Sequence, residues 1–270
     1  TLDRSDAVLV EEQQVYFDNL AQLPVGALRY RVLPDTIAPV EGSEDYWAEV
    51  TVALRLQGYD AAPVRTRDRF RFTPTAEGNR MLIASTTDRE WEAEHPGNAQ
   101  PWDLGEVTVE ERYGVLGIFD DPTADHAADV VAAVSDARSE VRRILPEPPL
   151  DTPDGVVVYA VDDMTFLNGL AGQTVGDRDR ADGLTIAVPV NGAEPAAGVA
   201  SYRVILDPGV LDQPAPVLAR LVRHELTHAT LGPRGRGAPL WLSEGLAEYV
   251  SVQALPLDRR RLQFQSAPSR

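Results

Sequence analysis

The chain has 270 residues, 43% of them hydrophobic, with 42 acidic side chains against 25 basic ones and a net charge of −17. That length favours two domains over one, and so acidic a balance, with arginine as every fixed cation, argues against nucleic acid and anionic membrane surfaces as partners. No apolar run reaches the roughly 18 residues of a membrane span, and the absence of cysteine excludes disulfides while suiting cytosol and cell envelope alike.

Residues 5 to about 22 place Val8, Leu9, Val15, Tyr16, Leu20 and Leu23 near helical spacing and predict an amphipathic helix. Val50, Val52, Leu54 and Leu56 then alternate with Thr51, Ala53, Arg55 and Gln57 as a strand does. Residues 64 to 73 repeat the pattern, with Arg65, Arg67, Arg69 and Arg71 on one side. Glu77-Gly78-Asn79 turns into a strand from Arg80 to Thr86, and 106 to 119 predicts one more, carrying Val107, Val109 and Gly-Ile-Phe. One helix followed by long antiparallel strands makes 1–122 an α+β domain with a curved sheet. In order and pattern it resembles the nuclear-transport-factor-two-like fold, which implies a concave face holding a small molecule or peptide, or a scaffold for the rest of the chain.

Asp120-Asp121-Pro122 reads as a turn or linker, and 123–270 as a second domain opened by a helix from about His126 to Leu145. Pro146, Pro148, Pro149 and Pro153 break the chain. Val156 to Val161, Leu184 to Val190 and Tyr202 to Leu206 are short continuous apolar runs, the pattern of buried strands. The acidic loop from Gly176 to Gly183 lacks the ligand order of a calcium loop and reads as solvated.

Residues 224 to 228 are His-Glu-Leu-Thr-His, in a chain with only four histidines; a shuffled sequence of this composition would contain H-E-x-x-H with probability roughly 0.004. Residues four apart on a helix share a face, with Cβ atoms about 5 to 6 Å apart, so both imidazoles can reach one ion. The surroundings predict that helix: Asp212 as a cap, Pro214 and Pro216 in a first turn, Val217, Leu218, Leu221, Val222 and Leu226 at helical spacing, then Gly232-Pro233 as the stop. A second helix is expected from near Pro239 to about Ala254, with Glu244 and Glu248 on one face. A catalytic zinc takes three protein ligands and keeps one position for water; Glu244 supplies the third after His224 and His228.

With Trp-Leu-Ser-Glu-Gly-Leu-Ala-Glu-Tyr around Glu244, these thirty or so residues resemble the gluzincin metallopeptidases, the group of thermolysin and the zinc aminopeptidases, and bacterial peptidase MA-like domains among them. The resemblance implies a thermolysin-like zincin α/β subdomain holding Zn2+ on His224, His228 and Glu244. It also implies Glu225 as general base toward a zinc-bound water, and Glu248 as acceptor of a hydrogen bond from a ligand histidine. The expected activity is hydrolysis of peptide bonds in a peptide or protein, with one edge strand, Leu184 to Val190, pairing the extended substrate. It places the chain on the exported side of a bacterial envelope. Leu231 and Arg234, where glycine and histidine would be required, exclude the metzincin pattern. No oxyanion donor is evident downstream; His95, His126 and Tyr202 are the candidates, Tyr249 being turned away from Glu244. That gap leaves an alternative, a non-catalytic zinc-containing binding or scaffold protein of the envelope.

Overall fold

A computed structural model describes residues 1–95, 99–145, 153–169, 174–175, 182–190, 198–235 and 237–260. The chain is α+β, as its pattern predicts, and is built on two sheets. Helix α1 (Ala7–Gln22) starts at Asp6, whose carboxylate accepts the Val8 and Leu9 amides at 3.0 and 3.2 Å, satisfying donors that a helix start otherwise leaves open. The first sheet follows: β1 (Val25–Val32), β2 (Ala38–Pro39), β3 (Tyr46–Leu56), β4 (Val64–Pro74) and β5 (Met81–Ser85). Its strands are antiparallel in the order β1-β3-β4-β5, with β2 also on β3.

Along β3, Ala48, Val50, Val52, Leu54 and Leu56 are buried and the residues between them only partly so, the outcome of a sheet with one covered face. The arginine side of β4 is matched by acids: Arg67 pairs with Glu49 at 3.2 Å, Arg69 with Asp88 at 2.9 Å and Arg71 with Asp45 at 3.5 Å. On the covered side, α1, α2 (Arg89–Glu94) and α3 (Pro101–Leu104) close over a cavity of about 1940 Å3.

Asp68 and Asp103 are two of the acids that line that cavity. Asp68 is half-buried, and loss of bulk water around it, then the Glu92 carboxylate, pushes its carboxyl up to about 7 from 3.8; Asp103 keeps an exposed surface facing the cavity, and the protein packed around it, then Asp68, raises its carboxyl to about 8. Folded protein therefore holds protons that the unfolded chain has lost between these values. That contribution is complete below about pH 4 and is lost as pH rises through 7 and 8. The melting temperature is expected to fall between pH 6 and pH 9, and Asp68→Asn with Asp103→Asn to flatten the fall; an unchanged slope in the double variant refutes this.

The second sheet begins earlier than the sequence pattern suggests. Residues 106 to 119 are a hairpin, β6 (Thr108–Arg112) and β7 (Val115–Phe119), and it is hydrogen-bonded to the strands that follow, not to those before. The change of sheet thus falls between β5 and β6, ahead of residue 122 where the sequence reading divides the chain. Tyr113 (φ 52°) and Gly114 (φ 73°) make the turn, positive at both central positions as a tight two-residue hairpin requires.

After a 3-10 turn from Asp121 to His126 come α4 (Ala127–Ile144), β8 (Val156–Ala160), β9 (Thr174–Val175), β10 (Gly183–Pro189), β11 (Val199–Leu206), α5 (Ala215–Leu231) and α6 (Leu240–Ser251). The sheet order is β6-β7-β8-β11-β10-β9, with β7, β8 and β11 parallel and the flanking pairs antiparallel. The loop from 176 to 181 and the Ala-, Gly- and Pro-rich stretch from 191 to 197 lie outside the described residues. Among the described residues no helix is long and apolar enough to cross a membrane.

The continuous apolar runs have a direct cause. Val115, Phe119, Val158, Ala160, Val204 and Leu206 pack toward α4 and α5, while Leu116, Ile118, Val157, Tyr159 and Ile205 pack toward Leu54, Leu56, Tyr59 and Trp102 on the other side. Both faces are covered, so successive residues are all apolar. At Gly117 a Cβ would stand 2.7 Å from Val131 Cγ2, which lets α4 lie close on β7.

The two sheets are tied by a buried polar group. Arg203 Nη2 pairs with Asp60 Oδ1 at 2.7 Å, Ser201 Oγ donates to the same oxygen at 2.8 Å, the Leu56 amide donates to Asp60 Oδ2 at 2.8 Å, and Tyr159 OH meets Arg203 Nη1. Asp60 follows β3, whereas Ser201 and Arg203 sit on β11 and Tyr159 on β8. Removing one member of such a pair strands the other charge. Arg203→Met is expected to cost about 3 to 5 kcal/mol in denaturant unfolding, and Asp60→Asn in the same chain to recover part of it; additive losses would contradict a coupled pair.

Candidate metal centre

Helix α5 carries the H-E-x-x-H residues into the core. Leu218, Leu221, Val222 and Leu226 are buried against the second sheet and α4, so the helical face that holds them also turns His224 and His228 inward. Pro214 occupies the N-cap position; Asp212, expected there, lies instead 3.8 Å from His126 Nε2. Gly232 (φ 48°) ends the helix, its amide donating to the His228 carbonyl. Arg223 fixes the helix from its other side, donating from Nε to the Ser251 carbonyl at 2.7 Å and from Nη1 to Glu140 at 2.9 Å. These bonds lock α5 to α6 and α4.

Helix α6 starts at Pro239 and packs Ala247 and Val250 inward, which directs Glu244 and Glu248 at α5. Glu244 Oε2 is 3.1 Å from His224 Nε2, Glu244 Oε1 is 3.2 Å from His228 Nε2, and the two Nε2 atoms are 3.2 Å apart. One ligand atom from each of the three residues lies within 4.8 Å of the others. Two facing imidazole nitrogens need either a proton on one of them or a cation between them, and with the Glu244 carboxylate beside both, the grouping can hold a cation. Burial works to raise the Glu244 carboxyl, but the hydrogen bonds and charges of His228 and His224 hold it well below the usual carboxylate range.

Both histidines are 2% exposed while the Glu244 side chain keeps 22%, so the centre opens on the Glu244 side. Glu248 Oε2 stands 3.7 Å from His224 Nδ1, an ion-pair distance rather than a hydrogen bond, and its other oxygen meets Arg220. His224 first, and Arg220 with it, lower the Glu248 carboxyl. His228 Nδ1 is buried with no hydrogen-bond partner among the described residues.

Glu225 is turned about 100° round the helix from His224, toward β10. There Thr185 Oγ1 lies 2.9 Å from both Glu225 Oε2 and the Glu225 carbonyl, and all of these atoms are buried. Neither family models nor curated proteins nor solved structures give a match to this chain.

Thr185 and Arg220 were not legible as site residues. Thr185 is 40 positions from Glu225, and a threonine inside an apolar run carries no signal beyond strand propensity. Arg220 sits one turn before His224 on the same face as Glu248's approach, a spacing that could have flagged it. Of the three proposed oxyanion donors, His95 stacks on Trp91 with ring centroids 4.2 Å apart and lines the cavity of the first sheet, and His126 faces Asp212. Tyr202 shares the helix-covered side of β11 with Val204 and Leu206 by strand alternation. Tyr249 is half exposed. Strand β10 has β9 beside it at Thr185 and Ile186, so it is the penultimate strand of the described sheet, not its edge.

Proposed function

We propose that the chain is a zinc metallopeptidase of gluzincin type, with His224, His228 and Glu244 holding the ion and Glu225 as general base. The observation that carries this reading is the mutual 3.1 to 3.2 Å spacing of two imidazole nitrogens and a carboxylate. Four-coordinate zinc with bonds of about 2.0 Å separates its donors by roughly 3.3 Å. An all-nitrogen-and-oxygen set with one side open to solvent also matches catalytic rather than structural zinc. When bound, the ion supplies Lewis acidity, polarising a carbonyl and lowering the pKa of water.

The chain's own groups do the rest. Glu225 accepts the proton of the attacking water and returns it to the leaving amine. Thr185 holds one Glu225 oxygen in place and leaves the other free for that transfer. Arg220 and Glu248 together set the orientation of the His224 ring. The chain acts on peptides or protein segments at the outer side of a bacterial envelope.

The test is metal content by mass spectrometry together with cleavage of an unstructured protein substrate. One zinc per chain, with cleavage stopped by chelator and restored by zinc, supports the peptidase. Zinc without cleavage transfers the reading to a zinc-holding scaffold, and no zinc removes both.

A further inference from the structure

The cavity under the first sheet includes none of His224, His228 and Glu244 in its lining and is independent of the metal reading. At about 1940 Å3 it exceeds the roughly 300 to 1,000 Å3 of an ordinary small-ligand pocket. Its walls are mostly apolar, with Leu28, Val32, Phe70 and Phe72 along the sheet face. Asp68 and Asp103 line this cavity and also a small one adjoining it, bounded by Asp60 and Arg203. Both carboxyls therefore stand at its inner end, toward the second sheet. The hydroxyls of Tyr16 and Tyr30, 2.8 Å apart, lie within reach of their charge.

Neither carboxyl has a cation. Asp103 Oδ2 accepts the Gln100 amide at 2.8 Å, and the Asp68 carboxyl makes no hydrogen bond or ion pair among the described residues. The charges that act on them are other carboxylates, Glu92 on Asp68 and Asp68 on Asp103. The nearby guanidinium of Arg203 is committed to Asp60 and Tyr159. Arg4 and Arg89 also line the cavity but make no ion pair with either carboxyl among the described residues; acids gathered with like charge and no such partner are unfavourable, and a cation delivered by a ligand removes that penalty.

We propose that this cavity binds an amphipathic amine, its ammonium held by Asp68 and Asp103 and its apolar body laid along the sheet face. A neutral ligand of the same length fills the apolar part and leaves the acids unpaired. An anionic one brings negative charge to an end already crowded with acids. Selectivity for the ammonium over its neutral isostere is thus the signature of the site.

Decylammonium, decanol and decanoate, below their aggregation limits and at about pH 9, above the values of both carboxyls, distinguish these cases. Binding is read by calorimetry and by the fluorescence of Trp102, which lines the cavity, in about 0.5 M salt, where surface charges are screened within about 4 Å. Decylammonium is expected to bind one per chain, at least about ten-fold tighter than decanol, a gap of roughly 1.4 kcal/mol. Asp68→Asn and Asp103→Asn should each close that gap and leave decanol unchanged, while His228→Ala leaves all three affinities as they were. Equal affinity for amine and alcohol, preference for decanoate, several amines bound per chain, or no binding at all overturns the proposal. The three-probe comparison on the unaltered protein decides it even where an asparagine variant does not fold.

Discussion

Glu225→Gln is expected to lower peptide hydrolysis by about 10^4-fold, the upper end of what a positioned general base contributes, while zinc stays at one per chain. The amide keeps the shape of the carboxylate, and its oxygen can still accept from Thr185 Oγ1, which now meets Glu225 Oε2 at 2.9 Å. What it loses is the ability to take a proton. Glu225 is absent from the group of potential metal donors formed by His224, His228 and Glu244, so metal content and activity should separate in this variant. Retained activity would exclude Glu225 as base. Loss of zinc along with activity would mean that Glu225 binds the ion itself.

The second large effect concerns the metal. His228→Ala removes one of three donors, and zinc is expected to weaken by at least about 10^3-fold, with mass spectrometry reading well below one ion per chain. In the unaltered protein, an ion present at a thousand times its dissociation constant stabilises the fold by about 4 kcal/mol, so chelation should lower the melting temperature by roughly 10 °C for a chain of this size. His228→Ala should already melt near the chelated value and be indifferent to chelator. Glu248→Gln, which touches only the far side of His224, should keep zinc but weaken it about 10- to 100-fold. A variant lacking His228 that still binds one zinc tightly would show that the ion sits elsewhere.

These two expectations rest on residues that the sequence exposes unusually well. His224, Glu225 and His228 declare themselves because helix geometry is local: a spacing of four fixes a shared face whatever lies around it. Glu244 and Glu248 are legible for the same reason, each helix being written in its own apolar spacing and its own proline and glycine stops. The long alternation of β3 and β4 was equally plain, since one sheet face is covered and the other carries arginines paired to acids.

Where the sequence reading departed from the fold, the deciding interactions were long-range. The hairpin at Tyr113-Gly114 went unseen because tyrosine at a positive φ is no turn signal, and because the partner of β7 is β8, reached only after all of α4. Strand β1, between α1 and the first recognised strand, lies against β3 with too little alternation to announce itself.

The sequence by itself determined the periods of the elements and the chemistry of the candidate metal ligands, both of which are set by neighbours a few positions apart. Tertiary structure alone decided what faces what. It put Thr185 on Glu225, Arg220 on Glu248, Arg203 on Asp60 across the two sheets, and Asp68 beside Asp103 in one cavity. The hydrogen-bonded pairs among them join residues 28 to 143 positions apart, and their energies depend on burial and on the charge that packing brings near, quantities that no local pattern of residues encodes.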